Sequence, residues 1–380
     1  MKITAVEPLL VQAGRRNHCF VRVRTDAGLS GLGEAYSVGP DRATAEVVAY
    51  YSDWLVGLDP LDIEGIWQRL YIGARFPGGV VGNSALSGID IALWDLKGKA
   101  QNVPVYQLLG GKCRERIRIY QAAHGADTND LVDMAVSMAK KGGLTAIKAN
   151  PLPDEVEQLG WTAVLHQVDR RMALLRHRLG DNVEIALDPH AKLLEPSKAV
   201  ELCDVLEPYH PLFVEEPLRP ENIQALAEVR AKVRVPIATG EMLFTKWAFR
   251  DLLHARAVDV VQPDVCSVGG LTEAKKIAAL AEAEYVTVAP HNPLGPVSTA
   301  ASAQLAATLP GFVVLEHVPD NEGPLRDLVV APYRVVDGYL ELPDAPGLGI
   351  ELNEEYCRAH PYVAWRRGQP IKPDGSVGLL

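Results

Sequence analysis

The alternation of apolar and polar positions divides the chain into a meander, a run of helices and a long series of short apolar segments. Cys19-Phe20-Val21-Arg22-Val23-Arg24-Thr25 has the period of a half-buried strand. Asp26-Ala27-Gly28 supplies a turn, and Leu32 to Tyr36 returns antiparallel. Helical patterns follow over 42–55, 63–71 and 84–99. The last opens on an Asn83 or Ser84 cap and carries Ile89, Ile91, Ala92, Leu93 and Trp94 on its apolar side. Gly110-Gly111 closes this α+β region.

Beyond it the rhythm changes. Eight short apolar segments begin near Ile117, Thr145, Glu184, Leu212, Pro236, Asp259, Val286 and Phe312, with helical stretches between them. Intervals of 23 to 39 residues are the repeat of a parallel β/α barrel. The longest interval leaves room for a helix over 155–179, and Gly142-Gly143 and Gly269-Gly270 fall at turns. After Asp320 the alternation stops. Tyr333 to Leu342 reads as a hairpin around Val336-Asp337-Gly338, and the tail with Trp365-Arg366-Arg367-Gly368 has no period. The expected units are 1–113, 114–325 and 326–380, the last packing back on the first.

The candidate chemistry sits at the carboxyl ends of the eight segments, where a barrel collects its functional side chains. Ile185-Ala186-Leu187 runs into Asp188 and, after Pro189, His190, which in extended chain share a face. Later segments end on Glu215-Glu216, Glu241, Gln262 with Asp264, His291 and Glu316, and an earlier one on Lys148-Ala149-Asn150. Charges buried without partners cost several kcal/mol each, on the order of a small domain's whole stability. Adjacent carboxylates on three neighbouring strands need a cation, and an all-oxygen set favours Mg²⁺ over zinc. Alternation lets one of Glu215 and Glu216 point inward. Asp264 on the adjacent strand can hold one ring nitrogen of His291, which gives a general base its tautomer and a raised pKa.

Composition narrows the partners. A net charge of −10 over 380 residues argues against nucleic acid or an anionic membrane surface, so an anionic substrate needs local cations or a metal. Five scattered cysteines without metal-type spacing read as reduced thiols of a cytoplasmic protein. No apolar signal core or membrane-length run appears.

These residues carry a resemblance over nearly the whole length. Ala92-Leu93-Trp94-Asp95-Leu96-Lys97-Gly98-Lys99, Pro104-Val105-Tyr106-Gln107-Leu108-Leu109-Gly110-Gly111, the series Asp188, Glu215, Glu241, the pair Asp264 and His291, and Glu316 together resemble the mandelate racemase subgroup of the enolase superfamily. The resemblance implies a (β/α)7β modified TIM barrel under an N-terminal α+β capping domain that the C-terminal segment completes. It selects Glu215 as the inward member of its pair, and implies a homo-oligomer and Mg²⁺-assisted abstraction of the proton α to a carboxylate.

One departure narrows the choice further. Racemases of this subgroup carry Lys-x-Lys where this chain has Lys148-Ala149-Asn150, whereas Asp188-Pro189-His190 looks like the acid-sugar dehydratases, galactonate-specific members most of all. That likeness makes His291 the base at C2 and His190 the acid at the C3 hydroxyl, with a 2-keto-3-deoxy acid as product. Lys148 would bring charge to the substrate carboxylate, Asn150 a hydrogen bond to a substrate oxygen, and Glu316 a neutral acid or a water-bridged contact. D-Galactonate is the first substrate expected. Other aldonic or aldaric acids (mannonate, gluconate, a pentonate) come next, then a racemase or epimerase, then a sugar-acid-binding paralogue without turnover. Two loops, Gln12 to His18 and Ile72 to Val81, are expected to set specificity.

Overall fold

The structure, a computed structural model, describes residues 1–37, 39–76, 78–366 and 368–379. Pro77 of the second suspected loop and Arg367 of the tail lie outside the described residues. The N-terminal part is an antiparallel sheet, β1 (Ile3–Ala13), β2 (Arg16–Thr25) and β3 (Ser30–Ala35), backed by α1 (Asp41–Leu55), α2 (Ile63–Gly73) and α3 (Gly79–Gln101), with a single turn α4 (Val105–Leu108) after them. Gly31 and Gly33 let β3 lie directly on α3. A Cβ there would meet the carbonyl oxygens of Ala92 and Gly88 at 1.9 and 2.0 Å.

The barrel follows as β4 (Arg116–Ala123), α5 (Thr128–Gly142), β5 (Ala146–Ala149), α6 (Trp161–Leu179), β6 (Glu184–Leu187), α7 (Pro196–Leu206), β7 (Phe213–Glu215), α8 (Ile223–Lys232), β8 (Ile237–Thr239), α9 (Thr245–His254), β9 (Val260–Val261), α10 (Gly270–Ala283), β10 (Thr287–Val288), α11 (Pro296–Ala306) and β11 (Leu315–Glu316). The strands pair parallel in that order. A Val288–Phe312 bridge and the β11–β4 pairing close the ring, giving the (β/α)7β arrangement. Then come α12 (Gly323–Asp327), the hairpin β12 (Val335–Val336) and β13 (Tyr339–Glu341), and α13 (Glu354–Ala359). The hairpin turns at Asp337-Gly338, both at positive φ, and β13 adds antiparallel to the start of β4. The chain then returns to the first sheet. Gln12 donates to the His360 carbonyl, and Asn17 exchanges two hydrogen bonds with the Val363 backbone.

Three boundaries differ from the sequence expectation. Helix α3 starts at Gly79, because Ser84 and Ser87 bond back to the carbonyls of Val80 and Asn83 and so sit inside the helix rather than capping it. Helix α6 starts at Trp161, since 154–158 is a series of turns. Most of Gln12 to His18 is strand, leaving a hairpin tip of Gly14 and Arg15. No helix among the described residues is long and apolar enough to cross a membrane.

The barrel interior is layered. Tyr120, Ala146, Ala186, Phe213, Ala238, Val260, Ala289 and Val314, one from each strand or its flank, form one apolar cluster. Two residues further on, each strand presents its next inward position: Ala122, Lys148, Asp188, Glu215, Gly240, Gln262, His291 and Glu316. The apolar layer is the floor of the site and the polar layer its working surface.

The N-terminal part docks on this end of the barrel through α3. Ser87 accepts from the backbone of Gly269 and Gly270, and Asp90 accepts from Thr272 N at 3.0 Å, all at the start of α10. Burial pushes the Asp90 carboxyl up to about 7, from 3.8, despite the Thr272 donors. The folded state therefore holds this proton more tightly than the unfolded chain, and the group's contribution to stability falls as pH rises from about 4 to about 7. Asp90→Asn is expected to flatten that part of the Tm–pH profile. Wild type and variant falling in parallel across the window would rule the assignment out.

Candidate active site

Six of the barrel's eight strands end where the inward column turns polar, and the local chain chemistry explains how. Strand β6 stops at Leu187 because Pro189 has no N–H for the ladder. Asp188 Oδ1 then accepts from His190 N at 2.8 Å. His190 and Ala191 lie at φ of 55° and 52°, a left-handed turn that non-glycine residues adopt at a cost. His190 is therefore not on extended chain, as alternation suggested. The turn nevertheless brings its Nε2 to 3.1 Å from Asp188 Oδ2, and the ring is half exposed to the cavity above.

Glu215 points inward and Glu216 does not. Glu216 Oε1 accepts from Thr239 Oγ1 at 2.7 Å, and burial first, then Glu241, push its carboxyl well up. Gly240 occupies the inward column of β8 at φ +148°, where a Cβ would meet the Gln262 backbone at 2.9 Å, so the acid of that strand comes one residue later, as Glu241.

The centre of the layer is Lys148. Its Nζ donates to Glu215 Oε1 at 2.8 Å and Glu316 Oε1 at 3.3 Å, and lies 2.8 Å from Asp188 Oδ2. At 4% exposure it is no surface lysine, and its pKa is held up against burial by those three carboxylates. Glu316 accepts from Lys148 and from Asn292 N. Burial would raise its pKa, but Lys148 and His291 bring it down to about 2. Glu316 is thus a carboxylate here. The neutral-acid role expected for it does not fit a group flanked by an ammonium and a histidine.

His291 and Asp264 meet as the sequence suggested, Nδ1 to Oδ2 at 2.8 Å, with Asp264 held in turn by Cys266 N at 2.7 Å. His291 Nε2 faces Glu241 at 3.2 Å and Glu316 at 3.9 Å. Burial disfavours its protonation, but Glu241, the Asp264 bond and Glu316 outweigh that and carry its pKa up to about 10. His190 and His291 stand on strands three and seven of an eight-strand ring, on opposite sides of its mouth. Asn150 lines the same cavity, although its Oδ1 is engaged by Leu152 N at 2.9 Å in a local turn. Lys192 lines a different cavity beside Trp161.

Among the described residues no three His, Cys, Asp or Glu side chains stand as a ready metal cage. Lys148 lies between Asp188 and Glu215, and Glu241 is turned to His291. The donor set nevertheless fits a hard cation. Among the described residues Glu215 Oε2 is buried without a hydrogen bond, and Asp188 Oδ2, likewise without one, has only its ion contacts with Lys148 and His190, although buried polar atoms are almost always satisfied. Burial and Asp188 push Glu215 up to about 8 even beside Lys148. Three carboxylates so placed are short of positive charge, and all-oxygen donors suit Mg²⁺.

Several participants escaped the sequence reading. Asn292 donates through its backbone to Glu316 Oε2 and through Nδ2 to the Glu316 carbonyl, while Ser298 donates to its Oδ1. Glu34, from β3, accepts from Gly295 N and Ser298 N at the start of α11 and contacts His18 Nδ1 at 3.0 Å. Arg16 donates to the Pro293 carbonyl, and the Tyr36 ring lies 6.3 Å from that of His291. The N-terminal sheet thus grips the loop that bears the histidine. A cavity of about 720 Å³ opens beside it, lined by Arg15, His124, Lys148, Asn150, His190 and Glu316 among others.

Comparison with known proteins agrees with this architecture. Residues 7–110 match the family model of the mandelate racemase/muconate lactonizing enzyme N-terminal domain, and residues 130–356 that of the enolase C-terminal domain-like family. D-Galactonate dehydratase of Ralstonia nicotianae is 38% identical, covering 94% of this chain and 95% of that protein. D-Galactonate dehydratase of Pectobacterium atrosepticum is 37% identical over the same shares. A solved enolase from Agrobacterium radiobacter, described as a candidate galactarate dehydratase and holding sodium and L-malate, superposes with a TM-score of 0.95 at 38% identity over 100% of both chains. The chain belongs to the mandelate racemase/muconate lactonizing enzyme family of the enolase superfamily.

Proposed function

We propose that this enzyme dehydrates a sugar acid, D-galactonate first, by removing the C2 proton and the C3 hydroxyl. The observation that carries the reading is a buried, carboxylate-held His291 on one side of the barrel mouth and a half-exposed His190 on the other. A base and an acid on opposite sides suit elimination. Two-base racemisation would need a base where Asn150 stands. The 36–38% identity to D-galactonate dehydratases supports the substrate class.

In this reading Asp188, Glu215 and Glu241 hold Mg²⁺, which when bound supplies positive charge to the substrate's carboxylate oxygens. His291 Nε2 takes the C2 proton while Asp264 keeps Nδ1 protonated. His190 gives its proton to the departing C3 oxygen, so that water leaves, and the enol tautomerises to the 2-keto-3-deoxy acid. Lys148, released from the carboxylates that surround it, and Glu316 flank the carboxylate end, and Asn150 faces a hydroxyl further along. Residues 1–113 and 326–380 cap the barrel of 114–325. The test is turnover of aldonic and aldaric acids by the purified protein with Mg²⁺, followed by semicarbazide trapping of the 2-keto product. No turnover of any acid would overturn the reading.

A second reading, a diacid such as galactarate, is supported by Arg15 at the hairpin tip. It lines the cavity with His124, and among the described residues its guanidinium has no hydrogen bond or ion pair. Burial lowers the His124 pKa, and His190, Lys148 and Arg15 lower it further, the mark of a positive field at this end. A second carboxylate would be met there. Arg15→Gln is then expected to lower kcat/KM for diacids by about 10- to 100-fold, the worth of one charge-assisted hydrogen bond, and to leave aldonates nearly unaffected. Equal effects on both classes would remove Arg15 from substrate recognition.

A further inference from the structure

Gln262 is the member of the polar layer that nothing so far has used. It follows Val260 by two residues in the inward column of β9, between the column that leads to Glu241 and the column of His291. Its backbone is tied down, with N–H donating to the Thr239 carbonyl at 2.9 Å and Gly240 packed against it. Its side chain is not. The residue is 1% exposed, yet among the described residues neither Nε2 nor Oε1 has a hydrogen-bond partner. A buried carboxamide can satisfy up to two donors and two acceptor sites, and leaving all of them unmet opposes folding. An apolar side chain of the same size would pack there without that penalty, so stability does not account for glutamine at this position.

We propose that Gln262 is a substrate-binding residue that takes the α-hydroxycarboxylate end of the acid, Nε2 donating to a carboxylate oxygen and Oε1 accepting from the 2-hydroxyl. This rests on the sugar-acid reading above and adds a contact to it. The position supports it. A group between the carboxylates that would hold the cation and the histidine that takes the C2 proton stands beside C1 and C2 of the substrate. The chemistry supports it too, because that end of the molecule offers an acceptor and a donor on adjacent atoms, the complement of a carboxamide. A free amide held in place by a fixed backbone is poised for a ligand without having to break a bond first. The price in free energy falls on the unliganded fold.

Gln262→Met keeps the length and volume of the side chain and removes both polar atoms. With the acid that the wild type dehydrates best, and with Mg²⁺ present, the expected result is a KM raised about 10-fold or more and a kcat within a few-fold of wild type, since a contact equal in ground and transition states acts on KM. The melting temperature of the free variant should equal or exceed that of wild type. Gln262→Leu should behave alike, which guards against an effect particular to the thioether. An unchanged KM in both variants would overturn the proposal and assign the amide to a buried water, with the dehydratase reading intact. A lowered melting temperature with kcat and KM both impaired would overturn it in favour of a structural role. If the wild type dehydrates no acid, the sugar-acid reading fails, and this inference with it.

Discussion

His291→Asn is expected to abolish exchange of the substrate's C2 proton in D₂O and to lower kcat by about 10³-fold or more, the upper part of the range for loss of a general base. Asparagine can still donate one hydrogen bond through its Nδ2 to Asp264, so the barrel should fold, but it has no site that takes a proton at neutral pH. The geometry makes the effect large. Asp264 holds Nδ1 at 2.8 Å, which leaves Nε2 as the only ring nitrogen able to act, and that atom faces Glu241 at 3.2 Å. The neighbouring carboxylates raise the ring pKa to about 10 when no cation engages them. Binding a cation at Glu241 would withdraw the first of these carboxylates and bring the pKa toward the working range. Proton NMR in D₂O reads the outcome directly, and persistent exchange in the variant would remove His291 from the reaction.

His190→Asn should separate the two halves of the reaction. Dehydration is expected to fall by about 10²-fold or more, because the C3 oxygen then leaves without a proton, while C2 exchange at His291 continues. The two residues stand on strands four positions apart in the ring, and no hydrogen bond joins them, so loss of one leaves the other's surroundings in place. Exchange and product formation are measured on the same sample. A variant that dehydrates at the wild-type rate would show that the proton comes from elsewhere. A variant that loses both activities equally would place His190 in binding rather than in acid catalysis.

Much of this arrangement was legible in the sequence because a strand's side-chain period is two. Ala186 and Asp188, Phe213 and Glu215, Ala289 and His291 repeat one spacing, apolar floor and then chemistry, and periodicity exposes it without knowledge of the fold. The Asp264–His291 pair was legible because adjacent barrel strands put consecutive strand ends side by side. Other features were invisible for physical reasons. Glu34 bonds to Gly295 across 261 residues, and nothing in the local sequence of either marks the partner. Lys148 read as a strand-end charge, and only the closed ring shows it surrounded by three carboxylates. His190 reached its place through a left-handed turn that alternation does not encode. Gly79 begins α3 ahead of two serines because their hydroxyls bond backward, a choice settled by what the helix packs against.

The hairpin between β1 and β2 has a consequence for how such an enzyme changes. Ala13 ends one strand and Arg16 starts the next, so only Gly14 and Arg15 are free of the ladder. A few residues later the same strand carries Asn17 and His18, buried and bonded, and β3 carries the Glu34 that holds the histidine loop. Arg15 of the tip lines the cavity, while the strands behind it hold the loop that bears His291. On the proposed reading, replacement of the tip alone would retune which acid is accepted and leave His291 and His190 untouched, whereas exchange of the whole N-terminal domain for another would break the grip on the loop that bears His291. Mutational drift and deliberate grafting meet the same asymmetry, in which two positions are open to innovation and their neighbours are closed to it.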